Sequence, residues 1–441
     1  MLLNQAFHLK KSDKIAFVGA GGKTCAIFSL AKAFGGSVIV TTTTHLGVWQ
    51  AALADKHWVV NDLDELKTLP FPSFTGINLI TGPSNGDERL HALGEDSLNY
   101  LKELADDFNF PMLIEADGAR QKPIKAPASY EPVIPGFATH VVVVVGMQAY
   151  QKPLTEQWVH RVDEFSRLSG THKGSIIDLS TIERSLSDKE NGYLVSIPKS
   201  AKRLLLINQA DDLILQAAAG KLARNLLNDY ANIAVAALGK EPETFASFHK
   251  IAGIVLAAGK STRFKGIKQT QAWRDSDFIT YIARTAKSAD LDPVRVVFGA
   301  HREKIVPFLV EEKVDVIENH EWQKGQSTSI KAGLRDLPAD IGGVIFLLAD
   351  QPQISPMLIK TLMETAFKTA KPIIAPLLGG ERGNPVYFSA DMFDLLKTIE
   401  GDQGGRAIFS KVNPFYFDWH DQSMLIDVDT ETDLHQLREL E

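Results

Sequence analysis

The chain has 441 residues, enough at about 150 residues per domain for two or three domains. At 44% hydrophobic and 23% charged residues it has a globular makeup, and a formal charge of −7 argues against a general nucleic-acid binder, which would carry a basic face. One cysteine, Cys25, excludes an internal disulfide and any multi-cysteine zinc site. No apolar run approaches the ~20 residues that span a bilayer, and the opening residues show no signal-peptide pattern. The expected location is the cytoplasm, with neither membrane nor nucleic acid as partner.

The first predicted strand, residues 15–18, runs into Gly19-Ala20-Gly21-Gly22-Lys23-Thr24 and then an apolar-periodic helix over residues 26–34. The ending G-K-T is that of a phosphate-binding loop, in which Lys23 would reach the phosphates and the Thr24 hydroxyl a magnesium ion. Phe17 stands where the strict P-loop spacing needs its first glycine, and Thr24 where the dinucleotide fingerprint needs its last. The loop is therefore shorter or shaped differently. Further strands are predicted at 37–40, 111–115, 141–145 and 204–207. Four threonines, Thr41 to Thr44, follow the second strand and either offer hydroxyls to magnesium or phosphate or cap a helix. The acidic segment E-A-D-G-A at 115–119 fits a magnesium-side loop. Asn208 and Asp211 resemble a base-reading N-K-x-D loop with Gln209 in place of lysine. Gly19, Gly21, Gly22, Lys23, Thr24, Asn208 and Asp211 form the candidate nucleotide site of this half. Cys25 and His45 read as local packing, and residues 166–199 are polar and weakly patterned. The segment E-P-E-T at 241–244 reads as a linker, dividing the chain into domains 1–240 and 250–441.

The second half opens in the same way, with a strand at 251–256 entering A-A-G-K-S. Strands follow at 294–298, 314–317, 344–348 and 373–376. In both halves, strands alternating with helical patterns imply mostly parallel sheets covered on both faces. Ligands then sit beyond the carboxyl ends of the strands. Transfer of a nucleotidyl group needs a phosphate cradle, cations over the leaving pyrophosphate, and carboxylates for Mg²⁺. Leu256, Ala257, Ala258 and Gly259 let the backbone approach phosphate, and Arg263 and Lys268 can fold back over it. Asp350 ends a strand in L-A-D-Q-P, as a metal ligand or as a helix cap. Asp427 and Asp429 offer further acids, for metal or for structure.

Together with Asn319, Trp322, G-Q-S-T-S at 325–329, R-G-N-P at 382–385, G-D-Q-G-G-R at 401–406 and D-V-D-T at 427–430, these motifs make nearly all of residues 251–440 resemble the molybdenum cofactor nucleotidyltransferases. The form L-A-A-G is similar to the cytidylyltransferases, whereas L-A-G-G typifies the guanylyltransferases, so Ala258 points to CTP. Phe264 departs from the family's usual methionine. The resemblance implies a Rossmann-like, glycosyltransferase-A-like fold and transfer of CMP from CTP to the phosphate of molybdopterin. It also implies that Gly259, Arg263 and Lys268 hold the triphosphate and Asp350 the Mg²⁺. Asn319 and Ser327 would border nucleotide or pterin, and Arg382, Gly383 and Asn384 would shape the pterin side. Residues 401–406 read as loop architecture and Trp322 as packing. Residues 7–238 are similar to a family of selenium-dependent hydroxylase accessory proteins, which implies a P-loop-like domain aiding maturation of a molybdenum hydroxylase. A guanylyltransferase, another nucleotidyltransferase of the same fold, or a cofactor carrier are the alternatives.

Overall fold

Alternation along the strands decides how the N-terminal unit is layered. In Val38–Thr42, Val38 and Val40 join Ile15, Phe17 and, from the helix Lys23–Phe34 (α1), Ala26, Ile27 and Leu30. Ile39, between them, joins Met112, Ile114 and, from the helix Glu95–Asp107 (α2), Leu98, Leu101 and Ala105. Successive side chains point to opposite faces, so each face of the sheet receives its own helices. The computed structural model describes residues 1–84, 86, 88–239, 242–260, 264 and 266–439. They form two units, Met1–Phe248 and His249–Glu441.

The strands of the first unit's main sheet are Lys14–Gly19 (β1), Val38–Thr42 (β2), Lys56–Val59 (β3), Ile77–Thr81 (β4), Met112–Glu115 (β5), His140–Gly146 (β6), Lys202–Asn208 (β7), Asn232–Ala237 (β8) and Glu243–Phe248 (β9). Their order is β9-β8-β7-β6-β1-β5-β2-β4-β3. Every neighbouring pair is parallel except β8–β9. The chain winds to one side of β1 and then to the other, so the direction of winding switches at β1. A doubly wound sheet opens its ligand crevice at such a point, beyond the carboxyl ends.

Two expectations change here. The segment expected as a linker supplies Glu243 and Thr244, the first two of the six residues of β9, where Thr244, Ser247 and Phe248 are buried and Ser247 Oγ donates to the Ala6 carbonyl at 2.5 Å. The weakly patterned stretch forms three short helices, Val162–Ser169, Leu179–Ser187 and Tyr193–Ser196. They bury Phe165, Ile182, Leu186 and Tyr193, and Asp178 caps the second by accepting from the Thr181 amide. A helix that buries one narrow stripe remains polar in composition.

The second unit's strands are Lys250–Leu256 (β10), Val294–Phe298 (β11), Asp315–Glu318 (β12), Ile341–Leu348 (β13), Ile373–Leu378 (β14), Glu381–Arg382 (β15), Val386–Ser389 (β16) and Phe415–Trp419 (β17). They are ordered β12-β11-β10-β13-β16-β14-β15, with β17 beside β14. The strands β10 to β13 pair in parallel, whereas β16 runs antiparallel to both neighbours. Ala252, Ile254, Val344 and Phe346 pack on Ile330 and Leu334 of the helix Gln326–Leu334 (α3). Both units are mixed α/β with largely parallel sheets. Among the described residues no helix is long and apolar enough to cross a membrane.

Candidate functional site

In the C-terminal unit, register brings two loops together. Leu256 of β10 pairs with Leu348 of β13, so the strands end side by side, and the Ala349 amide donates to the Leu256 carbonyl at 3.2 Å. Ala257 and Ala258 are buried and Gly259 is exposed. Gln269, itself buried, donates Nε2 to the carbonyls of Ala257 (3.3 Å) and Gly259 (3.2 Å). The Ala258 carbonyl accepts from the Ala300 amide at 3.4 Å. Among the described residues, no acceptor takes the amides of Ala258 and Gly259. Among the described residues, a Cβ at Gly259 would meet no atom within 4 Å. Arg263 lies outside the described residues.

Three acids gather beside this loop. Lys268 Nζ donates to Asp350 Oδ2 at 2.6 Å and Asp429 Oδ1 at 3.1 Å, with the Val428 carbonyl at 3.4 Å. Packing brings Asp429 there from the far end of the unit. Val428 is wholly buried in a small core with Phe264, Trp273, Phe278, Leu434 and Leu437, and its amide donates to the Asp350 carbonyl at 3.1 Å. Phe264 thus fills an apolar place, as the family's methionine would. Asp427 accepts from Gln351 Nε2 at 2.6 Å. Burial raises the Asp427 pKa and the charge of Asp350 adds to the rise, against the Gln351 hydrogen bond. Burial would lower Lys268, but Asp350 and Asp429 outweigh it and hold the ammonium above its ordinary value.

Asp350 and Asp429 share the single ammonium of Lys268, with the exposed carboxyl of Asp427 beside them, so among the described residues the place is short of positive charge. The donor set, oxygen-only and acid-rich, suits a hard divalent cation. Among the described residues no three His, Cys, Asp or Glu side chains form a metal cage.

The other motif residues divide differently. Asn319 is buried, and its Nδ2 donates to Thr328 Oγ1 (2.8 Å) and Ser329 Oγ (3.0 Å) while Oδ1 accepts from the Glu321 amide (3.0 Å). Ser327 is also buried, with its amide on the Gly401 carbonyl at 3.1 Å. The Asn319 side chain and the Ser327 amide brace the start of α3, and Asn319 also lines a cavity of about 590 Å³. Gly325, at φ +108°, would place a Cβ 2.3 Å from the Gly401 carbonyl carbon, so two glycine-rich loops meet backbone to backbone. Gly383 donates to the Pro376 carbonyl at 2.9 Å. Arg382 is exposed over the Phe409 ring and Asn384 is half-buried. Trp322 packs against Gly299.

In the N-terminal unit, Gly19, Gly21 and Gly22 have φ of +96°, +87° and +107°, a region open to glycine. Lys23 Nζ donates to the Gly19 carbonyl at 2.7 Å and pairs with Asp117 at 3.1 Å. Asp117 also accepts from the Gly19 amide at 2.9 Å and pairs with Lys125 at 2.8 Å. Lys125 continues to Glu131 at 3.0 Å, and Glu131 to Arg161 at 2.8 Å. Sequence reading missed Lys125, Glu131 and Arg161. The available signal was Lys125 itself, a charge set among Pro123, Ile124 and Ala126.

Asn208 is a bracket within the protein. Its Nδ2 donates to the Gly21 carbonyl at 2.7 Å and its Oδ1 accepts from the Leu238 amide at 2.9 Å. Its amide is thus engaged, while Asp211 is exposed and bonded to Gln148 at 3.1 Å. Three of the threonines are engaged too. Thr41, Thr42 and Thr43 donate to the carbonyls of Ile80, Glu115 and Val133. Burial pushes the Glu115 carboxyl up to about 7 despite the opposing charge of Lys23. Gly21, Gly22, Lys23, Thr24 and Glu115 open on a cavity of about 1380 Å³. Cys25 and His45, expected as packing, are exposed along it.

Comparison with known proteins divides the chain in two. Residues 15–163 match the YqeC protein family, and residues 253–415 match the MobA-like NTP transferase domain. The uncharacterized protein YqeC of Escherichia coli (strain K12) is 30% identical over 205 residues, 45% of this chain and 77% of its own length. The purine catabolism protein PucB of Bacillus subtilis (strain 168) is 31% identical over 168 residues, 35% of this chain and 78% of its own. A protein named "Probable molybdenum cofactor guanylyltransferase" from Bacillus mycoides (strain KBAB4) is 29% identical over 135 residues, 30% of this chain and 64% of its own. The chain therefore belongs to the YqeC family through its N-terminal unit and to the MobA-like NTP transferases through its C-terminal unit.

Proposed function

We propose that the C-terminal unit is a molybdenum cofactor cytidylyltransferase, moving CMP from CTP to the terminal phosphate of molybdopterin. The observation that carries this reading is the Lys268–Asp350–Asp429 cluster beside a loop whose Ala258 and Gly259 amides are left without acceptors among the described residues. An oxygen of the molybdopterin phosphate bonds to the α-phosphorus, the bond from that phosphorus to the β-phosphate bridge breaks, and pyrophosphate leaves. Asp350 and Asp429, with Asp427 behind them, would hold Mg²⁺, which supplies charge to offset the leaving pyrophosphate. The chain's own part is positioning and charge. Leu256, Ala257, Ala258 and Gly259 form the cradle, and Lys268 and Arg263 place cations on the triphosphate. Arg382, Gly383 and Asn384 face the pterin.

Ala258, in the form L-A-A-G, supports CTP. The relatives named as guanylyltransferases support GTP as the second reading. Residues 1–240 act, on this reading, as an accessory domain. Its Gly19, Gly21, Gly22, Lys23 and Thr24 bind a nucleotide while an apo molybdenum hydroxylase is matured. The deciding experiment gives the full chain Mg²⁺, molybdopterin and CTP, GTP or UTP in turn. Pyrophosphate release and the mass of the pterin product are measured, with CMP addition expected. GMP addition would move the base assignment. No release with any nucleotide, together with capture of an apo-hydroxylase, would make the protein a cofactor carrier.

A further inference from the structure

Among the described residues of the N-terminal unit, several buried side-chain polar atoms have no hydrogen-bond partner, and four of them are Thr44 Oγ1, Gln50 Oε1, Glu115 Oε2 and Gln209 Oε1. All four residues line the cavity into which the glycine loop opens. Buried polar atoms are paired almost without exception, so four around one cavity indicate that a ligand completes it. Phosphate alone does not. An ionised phosphate presents only acceptors, which match Lys23 and the first amides of the 12-residue helix α1. Three of the four unpartnered atoms are acceptors themselves, and the Thr44 hydroxyl can serve either way. They require donors on another part of the ligand.

The cavity has room for that part. Its volume of about 1380 Å³ exceeds the roughly 300–1,000 Å³ usual for small-ligand pockets. Its wall also carries Trp49, 57% exposed, and Tyr130, 74% exposed. The Arg161 guanidinium lies over the Tyr130 ring, whereas a large exposed aromatic such as Trp49 beside a polar cavity is a stacking platform for planar rings.

We propose that this cavity binds a phosphate ester of a planar heterocycle rich in N–H donors, the 2-amino-lactam chemistry shared by guanine and pterin. The phosphate sits at Gly22–Lys23, the ring lies against Trp49, and Gln50 and Thr44 answer its N–H groups. A 2-amino-lactam presents adjacent ring and amino N–H donors on one edge. Adenine lacks the ring donor there, so a wall of acceptors separates the two classes. The proposal rests on the phosphate-loop reading of the N-terminal unit and adds the identity of the ring.

Calorimetric titration of the full chain tests it, using GTP, neopterin triphosphate, ATP, inorganic phosphate and Mg²⁺ alone. GTP or neopterin triphosphate is expected to bind at least about tenfold tighter than ATP, and Trp49→Ala to weaken that ligand by about 10- to 100-fold. Trp49→Phe should restore most of the loss. The tighter of the two ligands identifies the source of the ring. Equal affinity for ATP, no effect of Trp49→Ala, or Mg²⁺ alone filling the site would overturn the ring assignment. The phosphate-loop reading would survive that outcome if Lys23→Ala still weakened every triphosphate. If Lys23→Ala changed none of them, or if nothing bound, both readings would fall. Trp49 is exposed, so its variants test the ring without disturbing a core.

Discussion

The two glycine loops of this chain begin alike, a buried strand running into small residues, and differ in what makes the glycine necessary. At Gly19 and Gly21 the demand comes from the protein. Both have positive φ, and an added Cβ would lie 2.2 Å from the Val144 carbonyl oxygen or 2.3 Å from the Gly146 nitrogen. At Gly259 an added Cβ meets nothing within 4 Å among the described residues, so those residues would accept a side chain. The lysines differ as well. Lys23 belongs to its loop and folds back onto Gly19 and Asp117, whereas Lys268 arrives from a separate turn and spans Asp350 and Asp429. One loop is fastened into its own unit, and the other is left open. A glycine in a motif can answer to the fold or to a ligand, and the space around its missing Cβ tells which.

The largest expected effect is at the open loop's acids. Asp350→Ala should lower kcat/KM by about 10³-fold, roughly 4 kcal/mol of transition-state stabilisation, with little change in melting temperature. Pyrophosphate release measures it, and retained activity would remove Asp350 from the metal site. Next, Gly21→Ala should destabilise the N-terminal unit by about 3–4 kcal/mol, through positive φ and overlap with backbone. Gly259→Ala should cost under about 1 kcal/mol and instead weaken triphosphate binding about tenfold. Denaturant titration and calorimetry on the pair decide it; if both glycines behave alike, the contrast between the loops is lost.

A pH-dependent effect concerns Glu115, beside the fastened loop. Its carboxyl rises from an ordinary 4.5 to about 7, so between those values the native state binds more protons than the unfolded one. Stability therefore falls as pH rises from about 4.5 to about 7, and the full penalty stands above that. Glu115→Gln removes the penalty. It should stabilise the protein by about 3 kcal/mol at pH 8 and scarcely at pH 4.5, read as the difference in melting temperature. An equal gain at both pH values would show that the carboxyl is not the cause.

Much of the fold was legible because its strands are apolar runs ending at the loops that matter. The run at 141–145 lies inside β6 and that at 344–348 inside β13. The strand β4, Ile77–Thr81, had the same signal, an apolar run between Gly76 and Gly82, and was passed over. The strand β9 gave no such signal, since its polar start reads as a connection and its burial depends on β8 and Ala6. In the C-terminal site, Lys268, Asp350 and Asp429 could be nominated from sequence, and the structure brings them together. The chain of charges from Lys23 through Asp117, Lys125 and Glu131 to Arg161 was not legible. Its end links, Lys23 to Asp117 and Glu131 to Arg161, join residues far apart in sequence, and only the fold sets all four pairs within 3.1 Å.

The edge strand β9 has a consequence in time. Ser247 reaches Ala6 across 241 positions of chain, and β9 pairs only with β8 within its sheet. Synthesis adds roughly 5–20 residues per second, so on the order of ten to fifty seconds separate the emergence of these two partners. Until Phe248 has left the ribosome, β8 is an edge with its hydrogen-bonding groups open to other chains. The helix Leu3–Ala6 waits through the same interval for the strand that holds it. The N-terminal unit is therefore first in sequence yet closes only as the C-terminal unit begins to be made.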